Sequence, residues 1–414
     1  MISPKIISQK YTSGFMAQII LRPQFNQRFF GIIVDFGSSD PQAIPGSAHF
    51  LEHKLFAKKS GDISHRFEEL GADVNAMTSF NETMYFCSGV DHNRQLIELL
   101  FELVGEPYFT ADNVAKEIPI IQQELAMYQD DPNWPISNTL MQELFGNSNL
   151  GIDVAGTKES IASINVAALK AVYQRNYYAQ NMRFIACGDF NEGQIQYIFR
   201  LVGQLQQKYI KVAKFEQDLT KATGKLRDRM IVNKTNSNVF GLGINLKNFK
   251  KVLSSYELSQ ILLEIMLESK LGIMSPWFEA MKAKHLLANS LQIAVNYTRQ
   301  GNFATIYGVA DHSQAVIEAI KSEIMRPFSK EELPYAKEFF ELQKKEWLAQ
   351  NKRALNNIPY LAMEMAEELL DYEDSSQNLR NLQTMSFSDF LKYSQELLKE
   401  YDFCSASFAK KGEN

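Results

Sequence analysis

The chain has 414 residues, 45% of them hydrophobic and 22% charged, with a formal net charge of −5. That length fits two domains of roughly 200 residues, and the composition is that of a folded, water-soluble protein. The mild acidity argues against a nucleic-acid partner or an anionic membrane surface, and no apolar run approaches the roughly 20 residues that span a bilayer, so no membrane insertion is expected. Three scattered cysteines, Cys87, Cys187 and Cys404, suit neither a disulfide framework nor a cysteine zinc knuckle. The opening MISPKIISQKYTSGF lacks the charged start and sustained apolar stretch of a secretory signal. A reducing, cytoplasmic location is expected.

In chain order, FFGIIVDFG (29–37) and TMYFCSGV (83–90) read as strands. SHRFEELGA, NRQLIELLFELVG and NVAKEIPIIQQELAMYQ read as helices. The mixture predicts an α+β fold in which helices pack on antiparallel sheets. Two pairs of segments then repeat at an offset of about 220 residues. GVDHNRQLIELLFELV resembles GVADHSQAVIEAIKSEI, and FTADNVAKEIPIIQQEL resembles FSKEELPYAKEFFELQKKEW. The chain therefore reads as two homologous domains, 1–210 and 225–414, joined by the charged and poorly periodic stretch between Leu205 and Arg229. DDPNWP (130–135) lacks the alternating ligands of a calcium loop, and GDFNEG (188–193) reads as a turn after a strand. His65, His92, His285 and His312 show no ligand spacing.

The stretch HFLEHKLF (49–56) carries the chemistry. On a helix, residues four apart lie about 40° apart around the axis, so His49 and His53 face one way and can hold one divalent ion. Glu52 borders that face without needing to ligate, and a carboxylate there can take a proton from water and pass it to a leaving amine. The order H-x-x-E-H is the inverse of the common H-E-x-x-H zinc-protease motif. A catalytic zinc needs a third ligand from another element. The helix NVAKEIPIIQQELAMYQ offers Glu124 for this, with Glu117 two turns earlier to orient a histidine. Pro119 should kink that helix or mark its first turn. In the second half, IMLESKLG (265–272) keeps the Leu-Glu and Lys-Leu pairs but has Ile265 and Ser269 where the histidines would stand. The fold therefore needs the leucines, and the chemistry needs His49, Glu52 and His53.

Through GSAHFLEHKLF, FEELGADVNAMTSFNETMYF, EIPIIQQELAMYQDDP, GTKESIASI and NYYAQNMRFIACGDF, the chain resembles the pitrilysin/insulinase family of zinc metallopeptidases, which includes the mitochondrial processing peptidase. The likeness covers most of the chain. It is greatest to short bacterial members that work as pairs of active and inactive subunits. The resemblance implies a two-domain α+β chain that dimerises into a clamshell around a peptide-sized chamber. It implies one Zn2+ per chain on His49, His53 and Glu124, with Glu52 as catalytic base and Glu117 as its supporting carboxylate. It also implies that NAMTSF (75–80) pairs with the substrate as an added β-strand, through Asn75, Ala76 and Thr78. One departure stands out. The family's arginine and tyrosine in a later R-E-K-x-x-L-A-Y pattern correspond to Lys282 and Asn289 here, and lysine lacks the planar fork of arginine. The expected partner is therefore a homologous zinc-free subunit completing a heterodimer, or a second copy completing a homodimer. The competing expectation is a non-catalytic zinc-binding or scaffold subunit on the same fold.

Overall fold

The computed structural model describes residues 4–131, 133–215, 221–232, 238–371 and 373–408. Residues 216–220 of the charged joint and residue 132 of DDPNWP lie outside them. Two compact units emerge. The first draws on Met1–Leu125, Asp153–Leu219 and Asn351–Glu373, and the second on Ala126–Ile152, Thr220–Gln350 and Asp374–Asn414.

The first unit holds strands β1 (Lys5–Lys10), β2 (Met16–Leu21), β3 (Arg28–Val34), the two-residue pair β4 (Ala57–Lys58) and β5 (Gly61–Asp62), then β6 (Asp73–Thr78), β7 (Thr83–Gly89) and β8 (Met182–Gly188). Apart from the short pair, they form one sheet in the order β1-β2-β8-β3-β7-β6. β3 and β8 are central and almost wholly buried, which explains their near-continuous apolar sequences. Along β3, Phe30, Ile32 and Val34 face the larger core, shared with Leu51 and Leu55, Leu96 and Leu100. Phe29 and Ile33 face the other way, onto Leu361, Ala362 and Ala366 of the helix Ile358–Asp371. Helices thus cover both faces of this sheet.

The second unit repeats the plan with β9 (Asp228–Ile231), β10 (Val239–Leu246), β11 (Gln292–Tyr297), β12 (Asn302–Val309) and β13 (Tyr401–Phe408), ordered β11-β12-β10-β13-β9. Read from the opposite edge, this order matches β2-β8-β3-β7-β6. β6 and β11, β7 and β12, and β8 and β13 begin 219 residues apart (73 to 292, 83 to 302, 182 to 401). The α+β class is as expected, but neither sheet is wholly antiparallel. β2 runs parallel to β8, and β9 parallel to β13, at the same place in each order. A parallel neighbour requires a long crossover, and the chain between β2 and β8 supplies one.

The packing division crosses the expected one at 210/225 twice. The helix Trp134–Phe145 packs on β10 and β13 of the second unit, and Ile358–Asp371 packs on β3 and β8 of the first. The first of these helices comes unusually close to its sheet. A Cβ at Gly241 in β10 would stand 2.6 Å from the Leu140 side chain, so a larger residue there would have to push that leucine aside.

Candidate active site

The helix Ser47–Phe56 begins at Gly46, whose φ of 84° is left-handed. A Cβ at that position would meet the Ala155 carbonyl at 2.7 Å. Glycine therefore sets the angle at which the helix enters the core. Leu51 and Leu55 anchor it there, and the opposite side carries His49, Glu52 and His53. All three belong to the first unit, as do Glu117 and Glu124 on the helix Ala111–Gln129. Pro119 sits in that helix's interior, past its first turn, between the two glutamates.

The five side chains converge. His49 and His53 rings lie 4.6 Å apart. His49 Nε2 is 3.7 Å from Glu124 Oε1, and His53 Nε2 is 3.5 Å from Glu124 Oε2. Ligand atoms of the three residues lie within 4.8 Å of one another, the one such group of three among the described residues. Two ligands of a tetrahedral zinc with bonds of roughly 2.0–2.1 Å stand about 3.3 Å apart. Gaps of 3.5 and 3.7 Å are too long for hydrogen bonds and close to that spacing. Two imidazoles and one carboxylate also form a standard catalytic zinc donor set, so the residues fit the ion.

The protonation of His49 fits as well. Burial, joined by the neighbouring His53, pushes the His49 pKa down to about 4, leaving a neutral imidazole with a lone pair to offer. For His53, burial opposes the charge, but the hydrogen bond to Glu117 and the nearby carboxylates outweigh it and raise its pKa. His53 Nδ1 meets Glu117 Oε1 at 3.2 Å, which orients the ring and directs Nε2 to Glu124. Glu117 Oε2 accepts from Lys54 Nζ at 2.8 Å. Although burial works against its charge, the hydrogen bonds from His53 and Lys54 hold the Glu117 pKa below the usual range.

Glu52 is 8% exposed, and burial raises its pKa. A carboxylate biased toward accepting a proton suits a general base. Its Oε2 accepts from Thr78 Oγ1 at 2.6 Å. Thr78 ends β6, and β6 is an edge of its sheet. Asn75 is exposed on the same strand, and its Oδ1 accepts from the Ala76 N–H at 2.8 Å. The edge strand is thus tied to the carboxylate beside the histidines.

Two residues of this site escaped the sequence reading. Lys54 is a lysine flanked by His53 and Leu55, and only the helix orientation shows that it meets Glu117. Asp153 acts on the charge of His49 from a loop about a hundred positions away, where no spacing rule reaches. Of the other histidines, His65 faces Glu68 on the surface, and His92 and His312 stand at helix N-cap positions without a side-chain capping bond. Lys282 and Asn289 are both exposed in the second unit, one in the helix Pro276–Ala283 and the other in the loop after it.

Comparison with known proteins gives the family and the fold. Residues 17–158 match the family model "Insulinase (Peptidase family M16)", and 163–339 match "Peptidase M16 inactive domain". The chain is 30% identical over 375 residues to the uncharacterized zinc protease YmfH of Bacillus subtilis, covering 86% of this chain and 85% of that one. Among solved structures, a putative M16-like peptidase from Alicyclobacillus acidocaldarius superposes with a TM-score of 0.82 at 21% identity, covering 99% of both chains. Pitrilysin superposes with a TM-score of 0.73 at 14% identity, over 98% of this chain and 45% of its own.

Proposed function

The chain belongs to peptidase family M16, the insulinase family, and on that footing we propose that it is a zinc-dependent endopeptidase acting on peptides or short unfolded polypeptides. The observation that carries this reading is the convergence of His49, His53 and Glu124 within 4.8 Å, with buried Glu52 beside them.

In this proposal His49, His53 and Glu124 hold one zinc per chain. When bound, the ion supplies Lewis-acid polarisation of the scissile carbonyl and makes water more acidic. Glu52 takes the proton from the attacking water and delivers it to the leaving amine. Thr78 keeps one Glu52 oxygen engaged, leaving the other to face the water. Glu117 orients His53 and Lys54 anchors Glu117. The outer edge of β6 holds the peptide extended at Asn75, Ala76 and Thr78, an arrangement that reads backbone more than side chains.

A dimeric chamber is part of the same proposal, with a homologous zinc-free subunit or a second copy as partner. The replacements at Lys282 and Asn289 support it, because they remove groups that the resemblance expects for holding substrate. They speak for dependence on a partner rather than for the second reading, a zinc-binding subunit that does not cleave. Cytoplasmic location belongs to the proposal too. Among the described residues no helix is long and apolar enough to cross a membrane.

The test compares zinc content and peptide hydrolysis for wild type and Glu52→Gln, each with and without a homologous subunit. Zinc in both forms and cleavage by wild type alone is the expected result, with a loss of about 10²–10⁴-fold in Glu52→Gln. Metal-free wild type under zinc-replete conditions would overturn the mechanism. Zinc without cleavage in either setting would leave the non-catalytic reading.

A further inference from the structure

The second unit contains a counterpart of the zinc site, and it is a cavity of about 340 Å³. Ile265 lines it where the repeat places His49, Glu268 where it places Glu52, and Gln343 stands 219 residues after Glu124. Ile265 and Gln343 remove two of the ligand types zinc requires, so this is no second metal centre. The base position nevertheless keeps its glutamate.

The charge of the cavity is unbalanced. Glu264, Glu268 and Glu346 all line it, and no lysine or arginine does. Glu264 takes a hydrogen bond from the Val295 N–H of β11 at 3.3 Å, and Glu346 from the side-chain amides of Gln343 and Gln350. The Glu268 carboxylate has neither hydrogen bond nor ion pair among the described residues. Burial raises the pKa of Glu264 and Glu268 alike, as expected for carboxylates that lack a counter-charge. The wall beside them includes Trp347, an aromatic side chain of the kind that attracts cations. Ile273 and Met274, both exposed in the lining, supply an apolar surface for a methylene stem.

From this combination we infer that the cavity binds the cationic side chain of an arginine or lysine in a peptide. An alkyl stem fits the apolar wall, and the charged head reaches Glu268 and Glu264 with Trp347 alongside. The inference relies on the peptidase reading for the ligand being a peptide substrate; the cavity and its charge stand without it. Peptides with a well-placed basic residue would be retained best.

The experiment uses the full chain carrying Glu52→Gln, so that peptides survive the titration. Three ten-residue peptides are compared: an end-capped one with a single central arginine, the same with neutral citrulline, and the citrulline peptide with a free N-terminus. The arginine peptide should bind about tenfold more tightly than capped citrulline, as one desolvated charge pair with an aromatic neighbour provides. Adding Glu268→Gln should abolish most of that difference while leaving citrulline binding unchanged. Glu346→Gln, at the exposed rim, should reduce it less, and keeps the test available should Glu268→Gln not fold. Equal affinity for the two capped peptides would overturn the inference, as would discrimination that survives both substitutions. A free N-terminus binding as tightly as arginine would assign the cavity to a terminal amine and overturn the side-chain form. If wild type cleaves nothing yet discrimination persists and depends on Glu268, the peptidase reading falls and this site stands.

Discussion

Lys54 is 4% exposed, one residue beyond His53, and its ammonium reaches a carboxylate that is itself engaged with the His53 ring. Removing the ammonium leaves Glu117 largely enclosed with one partner instead of two. Lys54→Met should therefore destabilise the zinc-free protein by about 2–3 kcal/mol, somewhat less than the 3–5 typical of a fully buried pair. It should also weaken zinc binding by roughly tenfold, through the loosened His53 ring. Denaturant unfolding in the presence of a chelator measures the first effect and competition against a chromogenic chelator the second. Thr78→Val separates the base from the metal. It removes the 2.6 Å hydrogen bond to Glu52 while leaving every zinc donor in place. Turnover should fall about tenfold with zinc content unchanged; loss of zinc together with activity would show that Thr78 serves the fold. At this scale the local chemistry was legible in the sequence, because His49, Glu52 and His53 share one helix whose period fixes their facing. Lys54 was not legible, because its role depends on how a second helix lies across the first.

Helix termini show what the elements demand. Gly46 must adopt a left-handed φ of 84° within 2.7 Å of a carbonyl that cannot retreat without moving its own backbone. Gly46→Ala should cost about 2–4 kcal/mol from dihedral strain plus overlap, read as a lowered unfolding midpoint, and should tilt the histidine helix enough to weaken zinc binding. In the second unit, Arg326 donates two hydrogen bonds of 2.6 Å to Glu332 just before the helix Leu333–Ala354. These bonds, chiefly, hold the Glu332 pKa down at about 2. A carboxylate pKa depressed in the folded state adds stability that is fully present above the unfolded value, about 4.3. That stability is lost as pH falls toward 2. Glu332→Gln should accordingly be less stable than wild type at pH 7, and the gap should close between about pH 4.5 and 2. Thermal unfolding followed across that window checks it, and a constant gap would show that the ion pair contributes nothing. The strands within 29–37 and 83–90 and the helices of NRQLIELLFELVG and NVAKEIPIIQQELAMYQ were readable from period and composition. The parallel pairings of β2 with β8 and β9 with β13 were not, since strand direction is set by crossovers that no local pattern records.

For the whole molecule, the sequence suggested two contiguous halves, and strand order and the 219-residue spacing do repeat from one sheet to the other. Packing does not run that way. The amphipathic helix Ile358–Asp371 announces an apolar face but not which sheet that face will cover, and it belongs with β3 and β8 of the first unit. A fragment ending near residue 215 would keep every zinc-site residue yet expose Ile20, Phe29, Ile33, Met84 and Ile185, which this helix covers in the intact chain. Contiguous apolar surface of that kind drives association. The fragment should therefore aggregate or fold loosely, and bind zinc weakly. Supplying a synthetic peptide of residues 351–373 should raise zinc affinity and reduce association, because it returns Ile358, Leu361, Ala362 and Leu370 to that face; residual association should remain from the helix Trp134–Phe145, whose strands lie in the second unit. Light scattering and zinc titration with and without the peptide give the measurement. Within the intact chain, Leu361→Ala should cost about 2–5 kcal/mol and lower zinc retention on heating, although Leu361 lies on the sheet face opposite the core that anchors the histidine helix. A fragment that is monomeric and fully zinc-competent without the peptide would show that the first half folds unaided and that the returning helix is only an accessory.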